Sequence, residues 1–248
     1  NKLEIFIFLL FVLSRVPDLG HDVFNTDVWK WKARTYDFGT GVFTLDFEKT
    51  VQKYHPGVTL MWLGSIGVKI YNFYYEVILG SAVPNNDISA IFLLHRIQKM
   101  VIAIFIGIIL AFIFHPLKEL FGKRYALVTA LVFIFEPFYM ALTRVMHLEG
   151  LMSTLMIASF VWLYYYFRKD KTRFLAISAL FASAAFLTKT SAIFLVPFSG
   201  LVIFIENVID KMNIKEAAIT TTKMFFTWFL IALLGFFVLW PALWTNAG

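Results

Sequence analysis

The chain has 248 residues, none of them cysteine; 60% are hydrophobic, 19% aromatic and 15% charged, and the mean hydropathy is +0.75. Soluble domains average roughly 45–50% apolar and about 25% charged, so a single water-soluble globule is excluded in favour of a polytopic membrane protein. The absence of cysteine rules out a disulfide framework, a thiol nucleophile and a Cys-ligated metal. The net charge of +6, with no basic patch interleaved with aromatics, reads as Lys and Arg at a cytoplasmic rim and not as a nucleic-acid footprint.

In chain order, Leu3 to Val16 has the length of a signal-peptide core, but Arg15-Val-Pro-Asp18 offers no small-residue cleavage site, so a retained first helix is expected. A long polar loop, residues 18–55, follows. Apolar stretches then recur at Val58 to Tyr75, Ile91 to Phe114, Tyr125 to Thr143, Leu151 to Phe167, Phe174 to Leu187, Thr190 to Ile205 and Met224 to Trp244. They read as helices, because an open strand cannot satisfy its backbone in lipid and the ~10-residue alternation of a membrane barrel is missing. No internal repeat is visible. The opening at Asn and the ending Thr245-Asn-Ala-Gly248 read as the amino-terminal part of a longer protein.

Lys and Arg counts orient these stretches. The joints Arg168 to Arg173 and His115 to Arg124 are cation-rich and expected inside, which puts Arg144 to Gly150 outside. Residues 18–54 balance acids against bases, and Glu76 to Ala90 holds no Lys or Arg. With both outside, Val58 to Tyr75 is expected to be a juxtamembrane or re-entrant helix.

Charges at the edges of apolar runs are costly unless they face a polar cavity, so they mark function by default. Asp27 is placed to take a proton from an acceptor hydroxyl, and equally to serve as a turn or N-cap residue. His55, in Lys53-Tyr-His-Pro-Gly57, is suited to a phosphate or acceptor, or to the interface. Arg96 reads as a phosphate clamp or as a snorkelling side chain. Arg144 and Glu149, with His147 between them, are five residues apart and need a bend to meet. Lys189, between Thr188 and Thr190, suits an anionic lipid phosphate or a rim position. Glu136 needs a partner, and Pro137 after it removes a backbone bond. No Walker or Gly-rich phosphate loop is present, so a lipid-linked phosphosugar is a better energy source than a nucleotide.

The order Asp27, Tyr54-His-Pro-Gly57, Arg96, Pro137 to Arg144, His147-Leu-Glu149, Leu187-Thr-Lys189 resembles the GT-C superfamily of membrane glycosyltransferases. The branch it is most similar to is that of the polyprenyl (dolichyl) phosphate mannose protein mannosyltransferases and their bacterial relatives, among them the lipid A aminoarabinose transferases. In that family an acid of the first outer loop is the catalytic base, matched by Asp27. Val28 stands where the mannosyltransferase branch often has a second acid, and Gly57 where the His-Pro-Pro motif ends in proline. Arg144 and Glu149 match an Arg followed by an acid, and Lys189 matches a Thr-Lys element facing the lipid phosphate.

The resemblance implies an all-α, polytopic, GT-C-like transmembrane bundle over residues 1–248, its first outer loop carrying short juxtamembrane helices. It also implies a hexosyltransferase that moves a mannose-like sugar, with inversion, from a polyprenyl-phosphate donor to a protein, lipid or glycan acceptor on the outer face. The expected site comprises Asp27 as catalytic residue, with His55, Arg96, Arg144, His147, Glu149 and Lys189 binding substrate. No cofactor is expected to be required; a divalent metal is not favoured. The partners are the donor, the acceptor and the bilayer, with no nucleic acid. A multi-pass protein of a bacterial-type plasma membrane is favoured over the endoplasmic reticulum. The alternative is a transporter or flippase of lipid-linked glycans, which predicts mid-membrane charges and pseudo-symmetric halves; the sequence has neither.

Overall fold

The computed structural model describes residues 2–21, 26–52, 56–84, 87–210 and 213–245. The described residues form helices and no strand: α1 (Lys2–Arg15), α2 (Thr26–Phe43), α3 (Val58–Phe73), α4 (Ile88–Phe121), α5 (Lys123–Phe135), α6 (Pro137–Arg144), α7 (Leu148–Lys169), α8 (Thr172–Thr188), α9 (Leu195–Asp210) and α10 (Ile214–Leu239). Short 3-10 turns at Thr190–Phe194 and Pro241–Trp244 precede α9 and follow α10.

Among the described residues, four helical stretches are long and apolar enough to cross a membrane: α4, α7, α9 with its leading 3-10 turn, and α10. The stretch Tyr125 to Thr143, read as one run, is broken into α5 and α6 with a bend of 61°. The break sits at Glu136-Pro137. Pro137 opens α6, where its missing N–H costs nothing, and the Glu136 carboxylate accepts from the Phe138 and Tyr139 amides. The partner that Glu136 needs is therefore the start of its own helix.

Small residues let these helices approach closely, as packing in lipid requires. α7 and α8 meet over Ala158, Ala179 and Ala182, all fully buried, and the Ser178 hydroxyl donates to the Ser159 carbonyl (2.7 Å). A Cβ on Gly235 of α10 would lie 2.9 Å from Ser183 Oγ of α8. α1 runs along α4, with Lys118 paired to Glu4 at 2.6 Å. On the outside, α10 exposes Phe226, Leu230, Leu234 and Phe237, a surface suited to hydrocarbon and not to water. The chain is an integral membrane protein of the all-α class.

The joint between α7 and α8 and the end of α4 share one end of the bundle, where Lys169 pairs with Glu119 at 3.1 Å. These are the two cation-rich joints of the sequence. α2 and α3 belong to the opposite end. There the Gly57 amide donates to the Thr188 carbonyl (3.1 Å), Thr59 to that of Ala184 (2.8 Å) and the Trp62 indole to that of Leu239 (2.8 Å). α3 thus reaches the ends of α8 and α10.

Candidate active site

Three elements meet at the α2 end of the bundle. α2 contributes Asp27 in its first turn, where a carboxylate is favoured by the helix dipole, followed by Lys30, Trp31 and Arg34. The spacing i, i+3, i+4, i+7 puts all four on one face. Lys30 Nζ lies 3.4 Å from Asp27 Oδ1, and the Arg34 guanidinium lies 4.8 Å from the centre of the buried Trp31 ring.

The second element is the bend between α6 and α7. Val145 is extended and His147, also extended, precedes the first residue of α7. A Cβ on Gly150 would lie 2.7 Å from the Leu142 carbonyl, so glycine permits the sharp return. This bend supplies His147, and the first turn of α7 supplies Glu149.

The third is the end of α8, where Lys189 leaves the helix in an extended conformation. Its Nζ lies 2.6 Å from Glu149 Oε1. The other Glu149 oxygen is bonded to His147 Nδ1, and His147 Nε2 faces Asp27 Oδ2 at 3.7 Å. A continuous polar array, Asp27–His147–Glu149–Lys189, results.

The array lines a cleft of about 470 Å³ together with Lys30, Trp31, Arg34 and Leu148. Among the described residues, the cleft holds two carboxylates, three fixed cations and one imidazole. Among the described residues no group of three His, Cys, Asp or Glu side chains is placed to hold a metal ion.

The sequence-expected residues divide accordingly. Asp27, His147, Glu149 and Lys189 converge on the cleft. Arg144 and Arg96 do not line it: the Arg144 guanidinium donates to the Pro17 carbonyl (2.6 Å) and Arg96 Nε to that of Leu19 (2.9 Å), so both hold down the segment leading from α1. His55 lies outside the described residues. Lys30, Trp31 and Arg34 were missed by sequence reasoning, although their helical spacing from Asp27 was the signal for them.

The described residues thus form a helical membrane bundle with a charged cleft at one end. The family model for dolichyl-phosphate-mannose-protein mannosyltransferases matches residues 88–244, most of the chain. The chain belongs to this family, and with it to the membrane glycosyltransferases of mannosyltransferase type. The match spans α4 to the final 3-10 turn and thus includes His147, Glu149 and Lys189, while Asp27 and His55 precede it. No curated protein and no solved structure matches.

Proposed function

We propose that the protein transfers a mannose-like sugar from a polyprenyl-phosphate donor to an acceptor hydroxyl on the outer membrane face, inverting the anomeric centre. The observation that carries this reading is one cleft holding a carboxylate exposed to an incoming hydroxyl, Asp27, and cations grouped around it, Lys30, Arg34 and Lys189. Asp27 takes the acceptor proton as the oxygen attacks the anomeric carbon from the face opposite the phosphate. As the old bond breaks, its electron pair stays on the phosphate, which gains one negative charge. Fixed cations in a cleft partly shielded from water stabilise that developing charge more than the ground state. The bilayer holds the donor in the plane where the cleft opens, which adds a proximity term.

No cofactor is needed for this displacement, and the reading requires no divalent metal. Acceptors of the protein, lipid or glycan class satisfy the chemistry, and a bacterial-type plasma membrane satisfies the placement.

The test uses the full-length protein in proteoliposomes with a panel of radiolabelled polyprenyl-phosphate sugars. Transfer of mannose to acceptor, with the product anomer opposite to that of the donor, is expected. Retention of configuration overturns the mechanism, and movement of donor between leaflets without transfer overturns the activity in favour of a flippase.

A further inference from the structure

His147 faces both carboxylates of the cleft. Its Nδ1 is bonded to Glu149, an acceptor when ionised, which fixes the neutral imidazole with its hydrogen on Nδ1 and its lone pair on Nε2. That lone pair faces Asp27 Oδ2 at 3.7 Å, a gap of the kind that closes when a substrate-free site fills. A carboxylate that has just taken a proton and a free imidazole nitrogen are complementary; two lone pairs are not. The geometry therefore prefers one proton between Asp27 and His147.

We infer that His147 is the second station of the acceptor proton: Asp27 takes it from the hydroxyl and passes it to His147 Nε2, where Glu149 stabilises the imidazolium. The inference rests on the transfer reading above and deepens it. In sequence, the acceptor O–H bond breaks and its proton moves to Asp27. The acceptor oxygen bonds to the anomeric carbon, and the carbon–phosphate oxygen bond breaks with its electrons on phosphate. The proton then moves from Asp27 to Nε2 and is lost to water. Asp27 returns to the carboxylate form without releasing its proton back onto the product or the phosphate.

The surrounding charges suit this role. The charged groups facing the imidazole are Asp27, Lys30 and Arg34 from α2, Glu149 from α7 and Lys189 from the end of α8. Lys30 is paired with Asp27 and Lys189 with Glu149, so each carboxylate already has a cation. His147 acts through Asp27 and is a positioning and relay residue for it.

The test is mannose transfer from polyprenyl-phosphate mannose by the full-length protein in proteoliposomes, over pH 5 to 9. His147→Asn keeps a donor for Glu149 at the Nδ1 position but cannot take a proton. It is expected to lose kcat by about 100-fold, the lower end of the range for proton transfer by a positioned side chain. Its donor KM should change less than about threefold, because uniform binding is untouched. His147→Ala is expected to regain at least about fivefold in rate with added imidazole, the rescue following the imidazole free-base fraction. A purely structural role gives no rescue. Normal kcat in His147→Asn, or an Ala variant that folds but is not rescued, overturns the relay. If those results come with loss of transfer in Asp27→Asn, the relay fails and the transfer reading stands; if wild type transfers no sugar, both fall.

Discussion

Gly57 shows how one residue joins three parts of the site. Its φ of +54° is in the left-handed region, its amide is bonded to Thr188 beside Lys189, and a Cβ would sit 2.2 Å from Trp31 Cζ3. An L side chain there is strained and collides with a ring that has no room to move. Proline, which the related motif carries at this place, has φ fixed near −65° and no N–H to donate. The departure from the motif is thus what this backbone requires. Gly57→Ala is expected to cost ~1–3 kcal/mol, to lower the melting midpoint by several degrees, and to cut transfer more than tenfold by displacing Trp31 and Lys189. An unchanged midpoint and rate would show that the close approach is not needed. At this scale the sequence was informative where a charge sits at the edge of an apolar run, as Glu149 and Lys189 do, and where an acid sits in an aromatic-rich outer loop, as Asp27 does. It could not separate them from Arg96 and Arg144, because the partners of those two are backbone carbonyls of Leu19 and Pro17, 77 and 127 residues away. No local pattern encodes such contacts.

α2 is the element that reading by composition understated. Residues 26–43 hold charges and two glycines, each glycine costing about 1 kcal/mol against alanine inside a helix, and the stretch reads as loop. The glycines are explained only by the neighbour: a Cβ on Gly39 would lie 2.8 Å from Ser65 Oγ of α3. The same contact is made from the other side, where a Cβ on Gly64 would lie 2.6 Å from Thr35 Cγ2. Long-range packing outweighs local propensity here. The break between α5 and α6 has a local cause, since Glu136-Pro137 acts on its own backbone, yet apolar composition alone reads the stretch as one run. The face of α2 turned from the cleft carries Lys32, whose ammonium donates to Gln98 Oε1 of α4 (2.7 Å). Burial, and next the charge of Lys99, hold Lys32 down at about 7. The unfolded chain keeps that proton up to the ordinary lysine range of about 10.4. Between these values the unfolded state binds more protons, so stability rises with pH; below about 7 both states are protonated and the term is constant. Against Lys32→Met, the wild-type melting midpoint is expected to gain at least ~2 °C between pH 7 and 9.5 and to be level below 7. A difference that does not change with pH would contradict the placement of Lys32.

At the scale of the molecule, the apolar runs and the cation-rich joints were legible because lipid imposes length and charge rules that need no tertiary information. The structure adds that the two cation-rich joints lie together at one end, and that the cleft lies at the other, between helix ends contributed by α2, α7 and α8. The meeting of those ends depends on antiparallel packing across the bundle, which hydropathy does not report. Since the chain contains no cysteine, single cysteines report sidedness without background. Asp170→Cys in the α7–α8 joint and Glu48→Cys after α2, both exposed positions, are expected to react with a membrane-impermeant maleimide from opposite sides of sealed vesicles. Labelling from one side would contradict the two-ended arrangement. The central claim, that the cleft transfers sugar with Asp27 as its base, is tested most directly by single-turnover transfer from radiolabelled polyprenyl-phosphate mannose, wild type beside Asp27→Asn in the full-length protein. The account predicts that the Asn variant binds donor as wild type does and loses turnover by ~100-fold or more; an Asn variant as fast as wild type would contradict it.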